Sequence, residues 1–147
     1  MSEKSYWNHI KEAGVKVSIY DGVEVFKAGF GEYPSWVGDL LAVHWILSEV
    51  SNGGLKQFFW NSTGILAPEA VEGFSQMGLP EVAKVVKEAM AFFGAEYPRD
   101  KNRRRELLGD CEGSPFVAME ERLYALSDDG FEKFYETMDD YAKKNAA

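Results

Sequence analysis

Residues 49–64 read Glu49-Val50-Ser51-Asn52-Gly53-Gly54-Leu55-Lys56-Gln57-Phe58-Phe59-Trp60-Asn61-Ser62-Thr63-Gly64, and this run decides the fold. It ends an apolar stretch from Trp36 to Val50 in which Val37, Leu40, Leu41, Val43, Trp45, Ile46 and Leu47 cover nearly every side of a helix. A helix apolar all round is a buried one, so a long central helix is expected. Asn and Gly are favoured where a helix ends in the left-handed conformation, so Asn52-Gly53-Gly54 predicts a sharp turn between two helices. Gln57 and Asn61, four apart, then share one face of a short helix from Leu55 to Asn61, surrounded by Phe58, Phe59 and Trp60. A buried amide without a partner costs about 1 to 3 kcal/mol, so both side chains are expected to bond to backbone freed by the turn or by neighbouring helix ends. Asn61 or Ser62 is also a candidate cap for the next helix. Internal hydrogen bonding is favoured over a ligand site as the role of these amides.

Working outward, Pro34 suits the first turn of the central helix. Before it, Ser2 to Ala13 predicts an opening helix with Trp7 and Ile10 on one side, ended by Gly14. Val15 to Tyr20 alternates like a strand, has no partner strand, and is read as one short extended segment closed by Asp21-Gly22. Val23 to Phe30 predicts a short helix. After the central block, helices are expected from Pro68 to about Met77 and from Glu81 to Phe93, separated by Gly78-Leu79-Pro80. Gly94 to Asp110 reads as a loop with room for a helical turn. Phe116 to Leu126 and Gly130 to Ala142 close the chain, the latter with Phe131, Phe134, Tyr135, Met138 and Tyr141 on one side. The expected fold is an all-α, compact multi-helix domain spanning 1–147 around a buried central helix, without internal repeats.

Composition narrows the class. A chain of 147 residues, 46% apolar and 14% aromatic, suits one folded domain with a sizeable core and is too rich in large side chains for a disordered tail. The single cysteine, Cys111, excludes an internal disulfide framework. No stretch reads as a signal peptide or as a bilayer-spanning run, so no membrane association is expected and the cytoplasm is the expected location.

The central block closely resembles the signature of the bacterial DNA-mimic protein family: Glu-Val-x-Asn-Gly-Gly at Glu49 to Gly54, Gln-Phe-Phe at Gln57 to Phe59, and Asn-Ser-x-Gly at Asn61 to Gly64. The run Trp45 to Val50, the segment Tyr97-Pro98-Arg99-Asp100 with Arg103, and the closing helix Phe131 to Tyr141 also look like that family, so the resemblance covers most of the chain from about Tyr20. It implies an all-helical fold and mimicry of DNA toward a DNA-binding transcription factor. Glu49, Asn52, Gly53, Gly54, Gln57, Phe58, Phe59, Asn61, Ser62 and Gly64 form a structural signature, whereas mimicry depends on surface acids that the motif does not specify.

Those acids are concentrated. The net charge is −8, from 16 basic and 24 acidic residues, yet residues 106–140 hold 11 acids against only Arg122 and Lys133. The closing helix places Glu132, Glu136 and Asp140 at i, i+4 intervals beside the apolar stripe, with Asp129 before them and Asp139 alongside. Carboxylates at that spacing have β-carbons roughly 5 to 6 Å apart, on the scale of phosphate charges along a nucleic-acid strand. With Asp128, Glu120 and Glu121 they outline a candidate surface for a basic protein. The competing explanation is plain solvation, with Asp128 and Asp129 suiting a helix N-terminus. Arg99, Lys101, Arg103, Arg104 and Arg105 form an opposite pole, expected to ion-pair with acids internally. Direct nucleic-acid binding is not expected of a chain with a pI near 4.8.

Enzyme signatures are missing from the sequence: there is no His-Glu-x-x-His, no Cys-x-x-Cys and no glycine-rich phosphate loop, and neither cofactor nor metal is expected. His44, in the apolar helix, suits a hydrogen-bonded core position, and Cys111 would need a base brought near it in space. The expected function is therefore non-enzymatic protein binding, toward a DNA-binding regulator. An immunity-type inhibitor of a basic nuclease toxin uses the same surface physics. A small-ligand binder or enzyme would instead use a concavity near Asn52 to Asn61, reached by Gln57 and Asn61. Exposed Trp7 or Trp36 would serve self-association, leaving a dimer open.

Overall fold

The computed structural model describes residues 5–109 and 111–147. Its helices are α1 (Trp7–Lys16), α2 (Val23–Phe30), α3 (Ser35–Trp60), α4 (Ala67–Gln76), α5 (Pro80–Met90), α6 (Lys101–Leu108), α7 (Val117–Ser127) and α8 (Glu132–Ala146), with 3-10 turns at Ser62–Leu66 and Ala91–Phe93. The fold is all-α, and no strand occurs among the described residues. The apolar helix α3 sits at the centre, where α1, α4, α6, α7, α8 and the first 3-10 turn all pack on it. Leu40, Ala42, Val43, Leu55, Phe58 and Phe59 are fully buried there.

The glycine block interrupts α3 at a single residue. Asn52 and Gly53 remain helical, and Gly54 alone leaves the helix at φ 84°, ψ −179° before the chain re-enters it at Leu55. The expected turn between two helices is thus a one-residue kink, not a left-handed helix end. That backbone region is essentially reserved for glycine. A β-carbon at Gly54 would also lie 2.1 Å from Oε2 of Glu120. The Glu120 carboxylate takes the N–H of Leu55 at 2.8 Å, satisfying a donor that the kink orphans.

Other boundaries moved for identifiable reasons. Gly14 does not end α1, which runs on to Lys16; the expected extended segment shrinks to Val17 at the helix end, followed by bends. Position 14 has only an ordinary contact with Leu41, so glycine there tolerates helix without a terminating geometry. Residues 2–4 of the expected opening helix and Asp110 lie outside the described residues. The 94–110 loop contains a full two-turn helix, α6, whose N-terminus Asp100 caps by accepting from the Arg103 N–H at 2.9 Å. Trp7 and Trp36 are half-buried against the core, not exposed. The large apolar side chains that reach solvent include Val15, Tyr20, Val117, Phe92, Tyr124 and Leu126.

The corner from α7 to α8 aims the last helix. Asp128 and Phe131 adopt left-handed φ values of 65° and 79°. Such a conformation is tolerated by Asp but strained for Phe. It is held because the Phe131 ring is buried and stacked on Tyr124 with centroids 4.6 Å apart, while its N–H donates to Ser127 Oγ at 3.0 Å. Phe134, Met138 and Ala142 then face the core.

Candidate functional site

Glu49 is the centre of the signature. From the first half of α3 its side chain reaches across the kink, and Oε1 accepts from Gln57 Nε2 at 2.8 Å. Oε2 accepts from Asn61 Nδ2 at 2.9 Å and from the Thr63 hydroxyl at 2.5 Å. Asn52 Nδ2 donates to Gln57 Oε1 at 3.3 Å. The amides therefore bond to a carboxylate instead of to backbone, and Asn61 makes no side-chain cap on the turn that follows. Pairing charge with neutral donors is roughly twice as strong as a neutral hydrogen bond, which fixes the angle between the two halves of α3. Phe59, on the far side, packs edge-on against Phe93 and tilted against Phe116 with centroids 5.0 Å apart in both pairs.

The second half of the hub comes from 97–105. Arg104 is fully buried, and its guanidinium donates to the carbonyls of Phe59 (2.8 Å), Asn61 (2.9 Å), Arg99 (2.6 Å) and Pro98 (3.2 Å). Burial pulls its pKa below the ordinary arginine value. Gly64 explains itself here, since a β-carbon would come within 2.8–2.9 Å of that guanidinium. The Tyr97 hydroxyl donates to the Gly64 carbonyl at 2.7 Å, and Arg99 forks onto Glu69 at 2.8 and 3.0 Å while donating to the Ile65 carbonyl at 2.8 Å. Lys101 donates to Ser62 Oγ at 3.3 Å, and Arg105 donates to the Trp60 carbonyl at 2.8 Å with its guanidinium over the Trp60 ring. Arg103 pairs with Glu106. Of the basic pole, Arg99 and Arg103 thus form the expected internal ion pairs, with Glu69 and Glu106, whereas Arg104 and Arg105 clamp backbone carbonyls instead.

The eight candidate acids separate into two groups. Glu120 and Asp139 are half-buried and hold the fold together: Glu120 at the kink, and Asp139 by accepting the Tyr6 N–H at 2.8 Å. Glu121, Asp128, Asp129, Glu132, Glu136 and Asp140 are exposed. Asp129 also accepts the Lys133 N–H at 3.2 Å, in the first turn of α8. Glu132, Glu136 and Asp140 lie two residues out of step with the buried Phe134, Met138 and Ala142, so the row occupies the outer face of α8, opposite the apolar stripe instead of beside it. The Tyr141 hydroxyl donates to Asp39 Oδ2 at 2.7 Å and fastens the far end of that helix.

His44 is half-buried, as expected, with Nδ1 at 2.9 Å from the Tyr6 hydroxyl. Burial lowers its pKa to about 4. A shallow hollow of about 400 Å³ borders Gly53, Lys56, Gln57, Trp60 and Asn61, so the amides do reach a concavity. A larger cleft of about 660 Å³ also borders Asn61 and is lined by residues from 14–21. Among the described residues no helix is long and apolar enough to cross a membrane.

No curated protein and no solved structure matches the chain significantly. A family model does, over residues 31–145, which takes in the kink, the Glu49 hub, the arginine clamp and α8. On that match the chain belongs to the DMP19-like protein family.

Proposed function

We propose that this chain is a non-enzymatic binding protein whose α8 face occupies the DNA-contacting surface of a basic protein, a DNA-binding transcription factor, by imitating nucleic-acid charge. The observation that carries it is the placement of charge. Glu132, Glu136 and Asp140 line the solvent face of α8, with Asp128 and Asp129 at the corner before it, while Arg99, Arg104 and Arg105 are folded onto residues 59–66 and Glu69. Membership of the DMP19-like family is compatible with this role. A row of carboxylates held on a rigid helix steers a basic partner over long range and loses its pull as salt rises.

The test is capture from native cell extract at low and at high salt, followed by challenge with duplex DNA. A DNA-binding protein held at low salt and displaced by DNA is the expected result. Recovery of a nuclease toxin instead would assign the same face to an immunity-type role, and capture indifferent to salt and DNA would remove the acidic face from the function.

A further inference from the structure

The cleft lined by residues from 14–21 carries the Glu49 carboxylate, which has no ion-pair partner among the described residues. It is lined by Glu49 with Asn61, Ser62 and Thr63, and by Leu41, Trp45, Val17 and Ile19. A carboxylate offers about four acceptor positions, and Glu49 fills three with Gln57, Asn61 and Thr63, all neutral donors. Arg105 is the cation among the lining residues, and its guanidinium is engaged by the Trp60 carbonyl and lies over the Trp60 ring, without an ion pair to Glu49. At the rim stands a second carboxylate, Asp21, held by the Ser18 hydroxyl at 2.6 Å. A volume of about 660 Å³ is within the range of small-molecule sites, and the lining is about half polar.

We propose that this cleft binds an ammonium group on a short apolar or aromatic stem, with the charge on Glu49, the stem against Trp45 and Leu41, and Asp21 at the entrance. Anionic ligands are disfavoured because they would meet both carboxylates. A neutral ligand would leave the fourth acceptor position and the charge of Glu49 as they are. This site lies apart from the α8 face and is independent of the partner proposed for it.

The test uses the full chain labelled for NMR, titrated with tyramine and agmatine at millimolar concentrations, with N-acetyltyramine as the neutral control and a lysine-containing tripeptide as a further probe. The expected result is saturable shifts at the Trp45 indole and at Asn61 and Thr63, absent with N-acetyltyramine. The stronger of free amine and peptide names the source of the ammonium. Asp21→Asn, on the exposed rim, is expected to weaken binding several-fold with the fold unchanged. Glu49→Gln, checked for retained helicity, is expected to weaken it about tenfold or more, the worth of one charge-assisted hydrogen bond. The lysine variant of Glu132, Glu136 and Asp140 is expected to bind amine like wild type. Equal shifts from N-acetyltyramine, shifts confined to α8, or no shift at all would overturn the site.

Discussion

The hub around Glu49 and Arg104 and the outer face of α8 obey opposite rules. In the hub every polar group of the signature has a geometric obligation: Gly54 admits the kink, Glu49 gathers Gln57, Asn61 and Thr63, and Gly64 makes room for a buried guanidinium. On the face, Glu132, Glu136 and Asp140 carry charge at exposed positions opposite the buried stripe. The contrast teaches why a motif can identify a family without specifying an activity. Residues bound by packing and hydrogen bonding are constrained by the fold, whereas a binding surface is free to vary.

The largest way to break that contrast is Arg104→Met. Removing a buried cation takes the guanidinium donor from four carbonyls, of which that of Asn61 keeps the Gly64 N–H, and about 3 to 5 kcal/mol of stability should be lost, read by urea denaturation. An unchanged midpoint would deny the hub its role. Next comes acid. His44 has a folded pKa of about 4 against 6.5 unfolded, so between those values the unfolded chain holds a proton that the folded chain lacks. Stability should therefore fall as pH drops through that window, by up to about 3 kcal/mol, and His44→Gln should flatten the slope. Asp39 opposes it: burial raises its pKa, against a smaller lowering by the Tyr141 hydrogen bond, so its protonation favours the folded state in acid.

Smaller effects sharpen the comparison. Gly54→Ala forces a β-carbon into a glycine-only conformation and against Glu120, for a cost of about 2 kcal/mol or more, and Gly64→Ala presses on Arg104 for about 1 to 3 kcal/mol; thermal unfolding ranks both. Lysine at Glu136 and Asp140 should change stability by no more than about 0.5 kcal/mol per site, the range for exposed positions, and lysine at Glu132, in the first turn of α8, by up to about 1 kcal/mol.

The sequence carried the helices well where periodicity was strong. The Val23–Phe30 helix has the predicted ends, and α3, α5 and α8 sit where apolar spacing put them. What periodicity could not show was the partner of each polar group. Glu49 lies eight residues before Gln57, outside the local spacing that links neighbours on a helix, so the kink had to be seen before the two could meet. Arg104 and Phe59 are 45 residues apart, and the run Arg103-Arg104-Arg105 reads as surface charge until its carbonyl acceptors are in place. The two-turn helix α6 was hidden for the same reason: its buried face is an arginine and a leucine, not an apolar stripe. The acidic row was legible as spacing, and its position opposite the core stripe was fixed only by Phe134, Met138 and Ala142.

The most direct test of the division between hub and face is the affinity of the captured basic partner for the variant carrying Glu132→Lys, Glu136→Lys and Asp140→Lys, measured alongside its unfolding midpoint. Loss of binding by an order of magnitude or more at an essentially wild-type midpoint is the predicted result. Undiminished binding, or loss of binding only together with loss of the fold, would contradict the account.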